Sequence, residues 1–339
     1  MERSELCDRF LAASDLSGAT RVPVSGDASN RRYERIVAPG GPVILMDAPP
    51  EKGEDVRPFV EIANHLRGLG LSAPKVLAAE TETGFLLLED LGDDLFARLL
   101  APGVAVDDTD ENRLYTAATD LLLMLRDAPL PPGIGGYDPA QMAELAALMF
   151  DWYLAAPQPE ARQTFVAAMG DALTEHSGDT SVLVLRDYHA ENLIWLPDRT
   201  AEARVGLLDF QDALAGHPAY DLVSLVQDAR RDVSPALEPE LIRHYCRASH
   251  TDQAEFEAAY FLLGAQRNLR ILGVFARLCL RDSKPHYLDL MPRVWAHLVR
   301  DLAHPALADV AALLTPILPA PTPARLAQLR SLCGTRPTA

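Results

Sequence analysis

Two polar segments of the chain combine residue types and spacings that suit phosphoryl transfer. Asp187 and Asn192, with four residues between them, directly follow the apolar run at 181–185, which predicts a buried strand. Seventeen residues after Asn192, a second apolar run ends in Asp209. Phosphoryl transfer needs one carboxylate that takes or orients the proton of the attacking hydroxyl. It also needs a second carboxylate and an amide oxygen that hold Mg²⁺ against the phosphates.

The elements around these segments must bring the three polar side chains together. The runs 192–197 and 203–210 predict the two strands of a hairpin, joined by a polar turn at 198–202. A hairpin of this kind places Asn192 and Asp209 at the same end, beside the segment that follows the buried strand. We therefore expect Asp187, Asn192 and Asp209 to converge.

The predicted secondary structure changes near residue 90. Before that point, strands alternate with one amphipathic helix; after it, helical spacing dominates up to about residue 315. This pattern predicts an α+β architecture, with a small antiparallel sheet followed by a large helical region that carries the hairpin. The individual elements predicted from spacing are helices over 2–15, 55–69, 94–100, 111–127, 140–154 and 160–176, strands at 19–24, 33–38, 42–47, 75–80, 84–90 and 181–187, and helices beyond 219.

The composition narrows the class of partner. The chain has 339 residues, and its 31 basic and 48 acidic side chains give a net charge of −17. Such a charge disfavours binding to nucleic acid or to an anionic membrane. No apolar run reaches the roughly 18 residues of a membrane span, and no signal peptide is apparent, so we expect a cytoplasmic protein. The four cysteines are widely spaced and predict neither a zinc site nor a disulfide framework.

These motifs resemble those of a known enzyme group. LRDYHAEN (185–192) and LLDFQDA (207–213) resemble the catalytic and metal loops of protein kinases, and more closely those of the aminoglycoside phosphotransferase and choline kinase group. GHPAYDLVSL (216–225) places Asp221 where that group has an aspartate that braces the catalytic loop. LLLEDLGD (86–93) resembles the hinge at which backbone groups meet the adenine.

The resemblance implies a bilobal protein-kinase-like fold. Its small antiparallel N-lobe would bind the nucleotide and span 1–90. The helical C-lobe, with the catalytic loop and the acceptor site, would span 91–320, followed by a loosely packed tail over 321–339. ATP and Mg²⁺ are the implied cofactors.

A narrower resemblance concerns the substrate. GDASNRRYERI (26–36), together with MDAPPE (46–51), is similar to the bacterial amino-sugar kinases of cell-wall recycling. Those enzymes phosphorylate N-acetylmuramate and N-acetylglucosamine on the anomeric hydroxyl. The implied partner is a small amino sugar, and the implied function is peptidoglycan recycling.

The resemblance also assigns roles to individual residues. Asp187 would be the catalytic base, Asn192 and Asp209 the Mg²⁺ ligands, and Asp221 the brace of the catalytic loop. His189 would support that loop or touch the substrate, although a purely structural role fits equally well. Arg267 and Arg270 lie in a helix where this group binds acceptors, and they are candidates for contacting a substrate carboxylate. The implied nucleotide-binding residues are Gly26, Asp27, Ser29, Asn30, Arg32, Glu89 and Leu91.

One departure from the protein-kinase pattern concerns the phosphate-binding cation. Protein kinases place a lysine on the third strand to hold the α- and β-phosphates, but the strand PVILMD has none. Arginine can make such a contact with its fork of donors. Glu61, on the helix that follows, is a candidate partner for the cation. The nearest cations in sequence are Arg31, Arg32, Arg35 and Lys52.

Two other functions remain open from the sequence alone. The chain could be a kinase for an aminoglycoside or a choline-like amine, although arginines interleaved in the helical region fit poorly with a polycationic acceptor. It could also be a catalytically inactive nucleotide-binding scaffold. A scaffold would not need Asp187, Asn192 and Asp209 together, and this argues for an enzyme.

Overall fold

The structure is a computed structural model that describes most of the chain, namely residues 2–24, 30–103, 110–154 and 156–336. The chain forms two compact units. The first comprises Met1–Ala118 and Glu191–Ala213, and the second comprises Thr119–Ala190 and Leu214–Ala339. Neither unit is one continuous stretch of sequence. The lobe boundaries expected from the sequence stay a prediction.

The described residues contain both strands and helices. The strands are β1 (Arg21–Val24), β2 (Arg32–Ala38), β3 (Gly41–Asp47), β4 (Val76–Glu80), β5 (Phe85–Glu89), β6 (Val182–Val184), β7 (Leu193–Trp195), β8 (Val205–Leu207) and β9 (Leu214–Gly216). The helices are α1 (Arg3–Ala13), α2 (Arg57–Gly68), α3 (Phe96–Leu99), α4 (Glu111–Asp127), α5 (Pro139–Ala146), α6 (Leu148–Trp152), α7 (Pro159–Ser177), α8 (Ala219–Val226), α9 (Leu237–Ser249), α10 (Gln253–Leu280), α11 (Met291–Asp301), α12 (Ala308–Leu314) and α13 (Pro323–Ser331).

The first unit is built on an antiparallel sheet with strand order β1-β2-β3-β5-β4. One face of the sheet buries Ile36, Leu45 and Phe85 against α1, where Phe10 stacks on Phe85 with ring centroids 5.7 Å apart. The apolar runs of β3 and β5 supply most of the buried residues of the sheet. The helix α2 buries its apolar residues at the spacing that the sequence predicted.

The hairpin β7–β8 belongs to this first unit. Leu193 pairs with Leu207 and Trp195 with Val205, in antiparallel register. Ser72 bridges to Gly206, which ties the hairpin to the segment before β4. The hairpin expected from the sequence is confirmed.

The second unit is organised around α10, a helix of 28 residues that is buried along most of its length. It packs against α5, α6, α7, α8 and α11. The strand β6 pairs antiparallel with β9 beside this bundle. A single long apolar helix therefore forms the centre of the unit, and the shorter helices bury their apolar faces against it.

Most of the elements predicted from sequence are confirmed, with two differences. The helix expected over 140–154 is two helices, because α5 ends and α6 begins on either side of Ala147. The strand β9 was not predicted, since its three residues form a strand only by pairing with β6. The tail contains α13, in which Leu329 is buried; its expected loose packing stays a prediction.

In the part of the chain that the structure describes, no helix combines the length and the apolar character needed to cross a membrane.

The helix α10 approaches α6 closely at Gly273, and this predicts that a larger residue there lowers stability. A Cβ on this residue would lie 2.5 Å from the carbonyl carbon of Leu148 and 2.7 Å from the amide nitrogen of Met149. Backbone atoms cannot move aside as a flexible side chain can. We therefore expect Gly273→Ala to lower the free energy of unfolding by about 1–3 kcal/mol, measured by urea denaturation.

The control substitution is Gly170→Ala in α7. A Cβ there would meet Ala143 Cβ at 3.9 Å, an ordinary contact. Its free energy of unfolding should stay unchanged or rise by about 0.5–1 kcal/mol, because alanine favours the helix. Equal destabilisation by the two substitutions would contradict the close-approach argument.

Candidate active site

The segment that carries Asp187 is held by α8 of the same unit. The buried Asp221 carboxylate accepts the backbone N–H of Leu185 at 2.6 Å and that of Arg186 at 2.9 Å. One turn further along α8, the Ser224 hydroxyl donates to the Arg186 carbonyl at 3.1 Å. Both polar groups of the Arg186 backbone are thus fixed by one helix, as the predicted bracing role of Asp221 requires.

This bracing coincides with an unusual backbone conformation. Arg186 has φ of 69°, in the left-handed region that non-glycine residues rarely adopt. The Asp187 N–H donates to the Leu185 carbonyl at 2.8 Å, so the chain turns sharply where β6 has ended. The Arg186 guanidinium lies 5.0 Å from the centre of the Tyr137 ring. Left-handed residues cost free energy and persist where surrounding contacts enforce them, and here Asp221 and Ser224 do so.

The charge state of Asp221 reflects opposing effects. The pKa of this carboxyl is raised to about 7, chiefly by burial, and the N–H donors of Leu185 and Arg186 oppose the rise. The nearby Asp187 contributes to the rise in pKa, and Arg267 opposes it. The hydrogen bonds that brace the loop thus also favour the carboxylate form that accepts them.

His189 lies inside the second unit, with 5% of its surface exposed. Its Nε2 is 3.5 Å from Nη1 of Arg230. Burial lowers the pKa of His189 to about 4, with Asp228 opposing that effect. The ring is therefore neutral at pH 7, and this placement matches the structural alternative; a role in catalysis stays a prediction.

Asn192 and Asp209 lie at the same end of the β7–β8 hairpin. The Asn192 carbonyl accepts the N–H of Leu208 at 3.0 Å, which continues the strand pairing up to the residue before Asp209. Asp209 has φ of 56°, and 45% of its side chain is exposed. Its Oδ1 accepts a hydrogen bond from Gln211 Nε2 at 2.9 Å. The structure thus brings the two predicted metal ligands together.

These two residues fit a magnesium ion that shares its ligands with phosphate. Among the described residues, no group of three or more His, Cys, Asp or Glu side chains is arranged to hold a metal. Mg²⁺ in phosphoryl-transfer enzymes needs only one or two protein carboxylates, because water and phosphate oxygens complete its octahedron. A half-exposed carboxylate beside an amide residue is a hard oxygen donor set of this kind.

Part of the predicted phosphate loop can be placed. Gly26, Asp27 and Ser29 lie outside the described residues. The Asn30 N–H donates to Glu54 Oε1 at 3.2 Å, and its side-chain amide donates to the Lys52 carbonyl at 3.3 Å.

Arg32, also predicted to bind the nucleotide, begins β2. Its backbone pairs with Asp47 across the sheet, and its side chain is exposed.

The predicted hinge residues are engaged within the first unit. Glu89 accepts side-chain hydrogen bonds from Arg199 at 2.7 Å and from Arg67 at 3.2 Å. Its backbone N–H donates to the Lys75 carbonyl at 2.8 Å. Leu91 is buried beside Gly206 of the hairpin. Their contact with a nucleotide stays a prediction.

Two of the candidate phosphate cations are engaged differently. Arg35 binds Asp90 through Nε at 2.5 Å and Asp93 through Nη1 at 2.8 Å. Arg31 instead binds Glu54, a residue that the sequence did not single out.

Glu61, the expected partner of the cation, is exposed on α2. Glu54 lies in an irregular stretch before that helix, so no periodic pattern marked it. The only sequence signal was its place in the acidic run EKGED after β3.

The two arginines predicted to bind substrate have different surroundings in α10. Arg267 is 6% exposed and influences the charge states of Asp221 and His189. Arg270 is half-buried. Burial lowers the pKa of Arg270, but Tyr220, Tyr137 and Asp187 more than offset this, so its pKa lies above the usual arginine range. Arg270 is therefore a permanent cation in the neighbourhood of Asp187.

Comparison with known proteins places the chain in a family. The model of the phosphotransferase enzyme family (APH) matches residues 20–261. An N-acetylmuramate/N-acetylglucosamine kinase from Caulobacter vibrioides is 39% identical over 95% of this chain and 98% of its own length. A protein of the same name from Pseudomonas aeruginosa is 35% identical, covering 87% of this chain and 88% of its own.

Solved structures agree on the fold. The GDP complex of an aminoglycoside 2'-phosphotransferase mutant superposes with a TM-score of 0.61 at 14% identity, over 89% of this chain and 98% of that one. A choline kinase from Streptococcus pneumoniae gives a TM-score of 0.59 at 14% identity, over 88% and 99%. At such identities the likeness shows the fold alone, and this confirms the expected protein-kinase-like α+β fold. The chain therefore belongs to the phosphotransferase enzyme family and is a nucleotide-dependent kinase.

Proposed function

We propose that the protein is an ATP- and Mg²⁺-dependent kinase that phosphorylates the anomeric hydroxyl of N-acetylmuramate and N-acetylglucosamine. The products would be sugar 1-phosphates for peptidoglycan recycling. The observation that carries this proposal is the 39% sequence identity, over 95% of this chain, to the Caulobacter vibrioides kinase named for both sugars. The cytoplasmic location expected from the sequence stays a prediction.

The proposed chemistry gives the braced Asp187 the role of base. It accepts the proton of the anomeric hydroxyl as the hydroxyl oxygen bonds to the γ-phosphorus of ATP. The bond from that phosphorus to the β–γ bridging oxygen breaks, and ADP leaves. Bound Mg²⁺, for which Asn192 and Asp209 are the proposed ligands, would neutralise charge on the phosphate oxygens.

The anomeric hydroxyl is a reasonable acceptor for a carboxylate base. The ring oxygen withdraws electrons, so this hydroxyl is more acidic than the other hydroxyls of the sugar. Phosphoryl transfer depends mostly on positioning and charge stabilisation, so a weak base suffices once the hydroxyl is in line.

The alternative functions have less support. Likeness to choline and aminoglycoside kinases is at the level of fold, so it does not favour an amine acceptor. An inactive scaffold would not need the Asp221 brace on the segment that carries Asp187.

The acceptor atom is tested with a blocked sugar. The methyl glycoside of N-acetylglucosamine lacks a free anomeric hydroxyl, and we expect no turnover above background. Free N-acetylglucosamine should give a sugar 1-phosphate, identified by phosphorus NMR. Phosphorylation of the methyl glycoside at the normal rate would instead identify a kinase of the 3- or 6-hydroxyl.

The role of Asp187 is tested by Asp187→Asn, which keeps the shape and removes the base. We expect kcat to fall by roughly 10²–10⁴-fold, while ADP affinity measured by calorimetry stays within about twofold. Asp198→Asn, in the exposed turn between β7 and β8, is the matched control and should retain normal turnover. Near-normal kcat in Asp187→Asn would remove this residue from the mechanism.

Selection between the two sugars is tested at Arg270. N-acetylmuramate carries a lactyl carboxylate that N-acetylglucosamine lacks, and a guanidinium can bind such a group through two hydrogen bonds. We expect Arg270→Gln to raise KM for N-acetylmuramate by about 10- to 100-fold, with a much smaller change for N-acetylglucosamine.

The matched control for this test is Arg277→Gln, two turns further along α10, which should affect both sugars alike. If Arg270→Gln changes KM equally for the two sugars, Arg270 does not bind the lactyl carboxylate of N-acetylmuramate.

A further inference from the structure

The third strand β3 carries no lysine, yet a largely buried cation lies beside Asp209, the predicted metal ligand in the first unit. This cation is Arg31, whose side chain is 12% exposed and whose Nη1 lies 3.7 Å from Asp209 Oδ1. We propose that Arg31 is the phosphate-binding cation of this kinase and that Glu54 is the residue that positions it. The inference rests on the proposed nucleotide site, but not on the identity of the sugar.

Glu54 fixes one edge of the guanidinium. The Arg31 Nε–H donates to Glu54 Oε2 at 2.8 Å, and the Asn30 N–H donates to the other oxygen, Oε1, at 3.2 Å. Both oxygens of this carboxylate are thus engaged, and its side chain is only 12% exposed. A carboxylate held at both oxygens sets the direction of the arginine bound to it.

The opposite edge of the guanidinium is directed towards Asp209. At 3.7 Å the contact is an ion pair and exceeds hydrogen-bond length. A residue that held the metal of a kinase would lie near the phosphates, because the metal would neutralise their charge. A cation beside Asp209 therefore lies where the negative charge of the nucleotide is concentrated.

The charges around Arg31 also favour this role. Burial raises the pKa of the neighbouring Tyr33 to about 12, and Asp209 adds to the rise. The phenol is therefore uncharged at neutral pH. Without Arg31, the carboxylate of Glu54 would lose its cation partner close to the proposed phosphate site, and its negative charge would oppose the binding of a polyanion.

The other candidate cations fit less well. Arg35 is held by Asp90 and Asp93. The side chains of Arg32 and Lys52 are exposed. Arg31 combines burial, a fixed partner and proximity to Asp209.

The experiment measures binding of Mg·ADP by calorimetry in the absence of sugar. We expect Arg31→Gln to raise the Kd by about 10- to 100-fold, because charge-assisted hydrogen bonds to phosphate are lost. The double substitution Arg31→Gln/Glu54→Gln avoids leaving a buried unpaired carboxylate, and it should show the same loss. Arg57→Gln removes an exposed ion pair with Asp55 on the neighbouring segment and should change the Kd less than twofold.

The positioning role of Glu54 has its own readout. Glu54→Ala should raise the Kd for Mg·ADP by at least about threefold. Glu54→Gln keeps an acceptor for the Arg31 Nε–H, so this variant should retain most of the affinity of the natural protein. Equal loss in both Glu54 variants, or none in Glu54→Ala, would overturn the positioning role.

Two further outcomes separate this inference from the proposed function. If the double variant binds Mg·ADP as tightly as the natural protein, Arg31 only neutralises Glu54 and the inference is wrong. If the natural protein binds neither Mg·ADP nor Mg·ATP, the proposed kinase function itself fails.

Discussion

One buried carboxylate, that of Asp221, determines the conformation of the segment on which the proposed chemistry depends. It accepts two consecutive backbone N–H groups, and in doing so it stabilises the left-handed conformation of Arg186. Without a buried acceptor at this point, those N–H groups would lack partners and the turn would relax. The cost of burying Asp221 is offset because both of its oxygens are used. The direction in which the Asp187 side chain projects from the backbone therefore depends on the packing of α8.

A second constraint is electrostatic. The chain carries a net charge of −17, yet the proposed ligand is a polyanion. Such a protein must place its cations locally, and in the first unit carboxylates hold two of the candidate phosphate-binding arginines. Arg35 joins β2 to Asp90 and Asp93, and Arg31 is held by Glu54. Fixed ion pairs of this kind pay their ordering cost during folding, so less is lost when an anion binds.

The sequence was most informative where local periodicity decides structure. The helix α2 and the β7–β8 hairpin were predictable because their apolar spacing is regular and their turns are polar. The short strand β9 was not, because an alanine and a glycine have little strand preference and only pairing with β6 makes them a strand. The Arg31–Glu54 pair was missed for the same reason, since its members are 23 positions apart in the chain and the contact depends on tertiary structure.

The assignment of residues 191–213 to the first unit has a consequence for dissecting the protein. The hairpin supplies Trp195, whose ring packs edge-on against Phe96, and whose backbone N–H donates to the Asp94 carbonyl at 2.8 Å. A protein fragment that ends at residue 118 would lack the hairpin. The side chain of Phe96, which is otherwise fully buried, would then be exposed. Domain exchange between relatives therefore requires three junctions, near residues 118, 190 and 213, rather than one.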